Sequence, residues 1–265
     1  MISPKRPRLA AAAALLLVVG GAGYGITAVN ADDPTRPRDG LALTSQDGAK
    51  PATMAQFLTS VTNDVDSYWT KTFAASDLPK PQVRTRWIPA GQSVASACGD
   101  EDGRLGDSAA AYCPSDDTIY ISEKFATDIY DGALDGALPG SSQGYGGTVG
   151  DFSVAYIVAH EFGHEIQDEL GAFDRYGGSV PTMAFELQAD CYAGTWAKSA
   201  YDENRLEDGD IQEALDAALA VGDFDTDNPG HHGTPDQRAE AWNTGFHSGS
   251  PSSCDTYMDA SNYGV

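Results

Sequence analysis

Histidine is scarce in this chain, with five in 265 residues. Basic residues are also few, 16 against 39 acidic ones, and the formal net charge is −23. A surface that acidic repels phosphate backbones and anionic lipid, which argues against nucleic acid and membrane surfaces as partners. Four cysteines are present and no two are spaced C-x-x-C, so nothing supports cysteines as metal ligands. No Gly-Lys-Ser/Thr occurs, so the Gly- and Ser-rich stretch 136–150 is not a phosphate loop. No serine nucleophile is expected.

Two of the five histidines fall in His160-Glu161-Phe162-Gly163-His164, an H-E-x-x-H pattern. On a helix, residues four apart share a face one turn apart, so both imidazoles can hold a single ion. Glu161 can then take a proton from zinc-activated water. The flanks predict the helix this requires. Residues 152–159 are apolar without Pro or Gly, Asp151 or Ser153 can cap the start, and Gly171 sits at the stop. Ala155, Val158, Ala159, Phe162 and Ile166 form a stripe suited to a core. A second helix is predicted over 183–201 and carries Glu186 and Asp190, four apart on one face. A catalytic zinc site has three protein ligands and keeps one position for water. Glu186 is therefore expected as the third ligand beside His160 and His164. Asp190 is expected to hydrogen-bond a ligand imidazole and fix its tautomer. The expected cofactor is Zn2+.

Lys5, Arg6 and Arg8 precede an uncharged stretch from Leu9 to Val29. Residues 1–31 read as a signal peptide, with Val29-Asn30-Ala31 before the cleavage point, or as an uncleaved membrane anchor. Residues 32–50 read as a flexible linker and 51–265 as the folded domain. The domain is expected outside the cytoplasm, secreted or anchored, touching membrane only through an uncleaved N-terminal segment. In that compartment four cysteines fit two disulfides. Of three possible pairings, Cys98–Cys113 and Cys191–Cys254 are expected.

Elsewhere, Phe57, Val61, Val65 and Trp69 give residues 53–74 helical periodicity. Residues 83–88 read as a strand with Arg84 and Arg86 on one face. Residues 117–121 read as a second strand, expected at a sheet edge beside the metal, where an extended peptide can add. Ser122 can cap a helix over 123–130, and the loop 136–150 can border a cleft. A helix is predicted over 210–221. Asp223, Asp225 and Asp227 alternate like a calcium loop, but Asn228 and Thr234 stand where Gly and Glu belong, so the segment reads as a solvated acidic turn. Thr234-Pro235-Asp236-Gln237 starts a last helix through Trp242, followed by a polar, irregular tail. The expected fold class is α+β, mostly helical.

The chain resembles the bacterial neutral zinc metallopeptidase family. The likeness rests on Gly150-Asp151-Phe152, Ala155-Tyr156 and the H-E-x-x-H, and on Glu186-Leu187-Gln188-Ala189-Asp190-Cys191 with Ala193-Gly194 and Trp196. It extends to Tyr112-Cys113-Pro114 and to His232-Gly233-Thr234 with Gln237-Arg238. It runs from Phe57 to Tyr257 and is most specific over 150–196. Glu165 stands where the family commonly has a second consecutive histidine, off the ligand face. The resemblance implies a zincin-like domain: a small β-sheet, an active-site helix and a gluzincin-type helix bearing the glutamate.

The expectation is an exported zinc peptidase, an endopeptidase acting on peptide or protein substrates with Glu161 as general base. His232 is the candidate second donor to the oxyanion, its alternative being a structural histidine before a helix cap. Tyr120, Tyr145, Tyr156 and Tyr192 are other possible donors. Two other classes stand beside this one: a zinc amidase acting on cell-wall peptides, and a zinc-binding but inactive module.

Overall fold

The computed structural model describes residues 53–264. The signal or anchor segment 1–31 and the linker 32–50 lie outside the described residues. The domain is mostly helical with a small mixed sheet.

The first helix, α1 (Met54–Ala75), buries Phe57, Val61, Val65 and Trp69 on one face, and the Thr53 hydroxyl accepts from the Gln56 N–H at its start. Three strands, β1 (Arg84–Ile88), β4 (Ala110–Cys113) and β5 (Thr118–Ser122), form a sheet in the order β1-β5-β4. β5 runs parallel to β1 and antiparallel to β4. A separate pair joins β2 (Val94–Ala95) to β3 (Arg104–Leu105).

β5 therefore lies inside the sheet, and the expected edge strand at 117–121 is corrected. The run Ile119-Tyr120-Ile121 is buried throughout, as suits a strand covered on both faces. The position beside the H-E-x-x-H segment belongs to β4, which is itself wholly buried. An extended peptide has no free edge at 117–121 to pair with. β1 shows no alternation either: Arg84, Thr85 and Arg86 are all exposed on the outer strand.

Ser122 ends β5 and caps α2 (Glu123–Tyr130) through its hydroxyl. The centre of the domain is α3 (Asp151–Glu169), buried on all sides from Phe152 to Gln167. The expected apolar stripe is thus one sector of a helix that is enclosed all round. α3 is not capped by Asp151 or Ser153. Its N-cap is Gly150, and Glu213 of α6 (Asp210–Val221) accepts the Phe152 N–H at 3.0 Å. A side chain at residue 150 would displace that carboxylate.

After α4 (Ala172–Tyr176) come α5 (Thr182–Asp202), α6 and α7 (Pro235–Ser248). The Thr234/Gln237 capping box is present at the start of α7. α7 runs past the expected end at Trp242 because Phe246 stacks on Trp242, 4.9 Å between rings, and Gly249 in the left-handed region stops it. The tail is not irregular but forms 3-10 turns at Pro251–Met258 and Ala260–Tyr263. Both expected disulfides form, with Cα separations of 5.7 Å for Cys98–Cys113 and 5.6 Å for Cys191–Cys254.

α5 and α7 touch backbone to backbone. A Cβ at Gly194 would run into the Trp242 carbonyl, and one at Gly245 into the Cys191 carbonyl. This approach sets Arg238 of α7 against Asp190 of α5. Gly245→Ala is expected to destabilise the domain by about 1–3 kcal/mol, since neither backbone can move without disturbing the other. Urea unfolding with the parental midpoint would contradict this packing.

A buried acid gives a second stability prediction. Asp210 lies beside Asp151, Glu213 and Glu207; burial, and then these like charges, push its pKa up to about 7 against a hydrogen bond from the Glu207 N–H. A folded pKa above the unfolded value means that this group favours folding most when protonated. Its contribution falls as pH rises from about 4 to about 7 and is level beyond. Asp210→Asn is therefore expected to melt higher than the parent at pH 8 and to lose that advantage by pH 4. Equal melting temperatures at pH 8 would contradict it.

Candidate metal centre

α3 and α5 cross where Gly163 faces Ala189; a Cβ on Gly163 would lie 2.9 Å from the Ala189 Cα. The crossing brings His160, His164 and Glu186 together, with one candidate ligand atom from each inside a 4.8 Å span. The two Nε2 atoms are 3.2 Å apart. His160 Nε2 is 3.3 Å from Glu186 Oε2, and His164 Nε2 is 3.4 Å from Glu186 Oε1. All three residues are 1–2 % exposed.

The outer bonds assign the tautomers. His160 Nδ1 lies 2.8 Å from Asp190 Oδ1, an acceptor, so Nδ1 carries the proton. Gln167 donates its amide to the Phe185 carbonyl at 2.7 Å and to Gln188 Oε1 at 3.2 Å. Its Oε1 therefore faces His164 Nδ1 at 2.9 Å and accepts. The two Nε2 atoms therefore face each other and Glu186, and Arg238 Nη2 lies 3.4 Å from that of His160. Beside them Glu186 Oε1 is buried without a hydrogen-bond partner.

Such a cluster is unfavourable by itself and is satisfied by a cation. Two imidazoles on one tetrahedral zinc, with bonds of ~2.0–2.1 Å, place their nitrogens ~3.3 Å apart. The carboxylates of Glu161, Glu186 and Asp190 crowd this cluster against the single guanidinium of Arg238, an excess of negative charge that a cation offsets. The donor set fits the group that the sequence implies.

The site's own field agrees. Burial alone would lower the His160 pKa, but the Asp190 carboxylate outweighs it and raises the value to about 9. Burial opposes the charge on Glu186, yet the two histidines hold its carboxyl well below the usual range. Burial raises the pKa of Glu161 against the pull of both histidines.

Glu161 stands off the ligand set. Its Oε2 accepts the Tyr112 backbone N–H at 2.8 Å, while the Tyr112 hydroxyl donates to Asp168 at 2.9 Å, so β4 lies along α3. Asp190 bonds His160 as expected. His232 donates its backbone N–H to Asp223 at 2.8 Å and keeps a partly exposed ring, and burial lowers its pKa. Asp223 also bonds His231 Nδ1 at 2.5 Å. The acidic turn thus pins the two-histidine loop, with His231 the more buried of the pair.

The four tyrosines separate. Tyr156 donates to Asp190 at 2.6 Å and is enclosed. Tyr120 donates to Asp116. Tyr192 packs edge-on against Trp69, and Tyr145 against Phe224. The loop 136–150 contributes Gly147, Thr148 and Val149 to a small apolar recess with Ile157 and Val221, which includes none of the metal-cluster residues. That loop does spell one G-x-S-x-G, Gly140 to Gly144. It forms the 3-10 turn Ser141–Gln143, where the Ser142 hydroxyl donates to the Pro139 carbonyl, and no strand leads into it as a nucleophile elbow requires.

Gln167, Arg238 and the Tyr112 peptide are contributors that sequence reasoning had not assigned. Gln167 had a signal, lying three residues past His164 on the same helix. Tyr112 and Arg238 arrive from β4 and α7, and no spacing announces them.

The family model described as "Putative neutral zinc metallopeptidase" matches residues 8–257. The chain is 28% identical over 262 residues to "Uncharacterized protein YpfJ" of Escherichia coli (strain K12), covering 92% of this chain and 84% of that one. It is 32% identical over 222 residues to "Uncharacterized protein Rv2575" of Mycobacterium tuberculosis (strain ATCC 25618 / H37Rv), covering 75% and 69%. No solved structure matches.

Proposed function

The chain belongs to the neutral zinc metallopeptidase family, and from that premise we propose that it is an extracytoplasmic zinc-dependent endopeptidase. The observation that carries the reading is the pair of facing Nε2 atoms, 3.2 Å apart, closed by an orphaned Glu186 oxygen, with Glu161 one residue from the first ligand. Zinc held by His160, His164 and Glu186 would lower the pKa of a water molecule from ~15.7 towards ~7 and polarise a peptide carbonyl. The Glu161 carboxylate would accept the proton of the attacking water and return it to the leaving amine. The Tyr112 N–H holds the Glu161 carboxylate in place for both transfers. His232, whose ring keeps some exposure, is the donor proposed for the oxyanion. The fold over 51–265 carries the site, behind a signal or anchor at 1–31 and a linker at 32–50. Two disulfides support an oxidising compartment.

One observation favours a second reading. Glu161 is 2 % exposed, as enclosed as the ligands, which suits a zinc-binding module without catalysis. The zinc-loaded domain should be tested on an unfolded protein and on cell-wall peptides, before and after chelation. Cleavage of the unfolded protein that chelation abolishes and zinc restores is the expected result. Cleavage of cell-wall peptides alone would favour the amidase, and no cleavage of either would favour the inactive module.

A further inference from the structure

We propose that Arg238 is a positioning residue of the metal centre, acting through Asp190; the inference rests on the zinc reading above. Arg238 is 0 % exposed and comes from α7, an element that supplies no ligand. Its guanidinium grips Asp190 with two bonds, Nε to Oδ2 at 2.8 Å and Nη2 to Oδ1 at 2.9 Å. Both Asp190 oxygens are thereby fixed in one plane. Oδ1 is also the atom that holds His160 Nδ1. The same Nη2 lies 3.3 Å from the Tyr156 hydroxyl, 3.3 Å from His160 Nδ1, 3.4 Å from His160 Nε2 and 3.6 Å from Glu186 Oε2.

The chain of contact therefore runs from α7 to α5 to α3 and ends at a ligand nitrogen. Asp190 alone could rotate and present either oxygen to His160, or neither. With the fork in place, one orientation survives, and His160 is held with Nε2 toward Glu186. A planar, two-pronged donor does this and a point charge does not. The approach of α5 and α7 at Gly194 and Gly245 is what admits a guanidinium at this depth. Arg238 also offsets part of the carboxylate charge crowded around the ligands.

The test is the zinc dissociation constant of the whole domain, read by chelator competition, for the parent, Arg238→Lys, Arg238→Met, Asp190→Asn and the Asp190→Asn/Arg238→Met double variant. Arg238→Met and Asp190→Asn should each weaken zinc by ~10–100-fold, the range for loss of a partner behind a ligand. The double variant should be little worse than the weaker single, because both act along one path. Arg238→Lys keeps the charge and loses the fork, and should bind zinc several-fold more weakly while keeping the parental circular dichroism. It decides the matter if Arg238→Met fails to fold. In the zinc-free parent at alkaline pH, where the imidazole is neutral, nitrogen NMR of His160 should show the Nδ1–H tautomer alone, and Arg238→Lys should show a mixture. Parental affinity in Arg238→Lys, or losses that multiply in the double variant, would overturn the proposal while leaving the zinc reading intact. A parent that takes up no zinc would overturn both.

Discussion

Glu161→Gln is expected to retain about one zinc per chain and to lose the ~10²–10⁴-fold in rate that general-base catalysis supplies. The side chain lies outside the ligand set, and its Oε2 is occupied by the Tyr112 N–H. A glutamine oxygen can accept that bond in the same place, so fold and metal have no reason to change. The amide cannot take a proton at neutral pH, so the proton of the attacking water has no acceptor. The loss should fall on kcat, since substrate binding does not require the charge. A variant that cleaves as fast as its parent would remove Glu161 from the mechanism. One that loses its zinc would show that the carboxylate supports the metal instead.

Glu186→Gln should have the opposite pattern. A negative charge disappears with the ligand oxygen, and zinc affinity should fall by at least the ~10–100-fold that removal of an outer partner costs. The apo protein should lose as well. The two histidines hold the Glu186 carboxyl well below the usual range, so its charge stabilises the folded, metal-free domain at neutral pH. With chelator present, Glu186→Gln is therefore expected to melt below the chelated parent. Calorimetry showing an equal or higher melting temperature in chelator would mean that the histidines do not pair with this carboxylate.

Much of this arrangement was legible from local spacing. His160 and His164 lie four apart, as do Glu186 and Asp190, and each pair determines what one helix face presents. Ser122, Gly171 and the Thr234 box marked helix ends because capping depends on a few neighbouring residues. The resemblance added the pairing of the two helices, which spacing alone does not supply. What could not be read was set by contacts between distant segments. The carboxylate at the start of α3 comes from Glu213, 61 residues on. The interior position of β5 depends on β1 and β4 pairing with it on either side, and its apolar run suits any buried strand. α7 outlasts its apolar periodicity because Phe246 stacks on Trp242 and Gly245 lies against Cys191, contacts with no sequence pattern. Arg238 entered the sequence reading only as part of the family motif, and its role appears once α5 is placed beside it.

The central claim is that His160, His164 and Glu186 hold one zinc ion. X-ray absorption at the zinc edge, recorded on the zinc-loaded domain after dialysis, tests it most directly. The account predicts a tetrahedral environment of two imidazole nitrogens and two oxygens at ~2.0–2.2 Å, with no sulfur. A shell at ~2.3 Å, the distance of a cysteine sulfur, or a dialysed domain with no zinc edge at all, would contradict it.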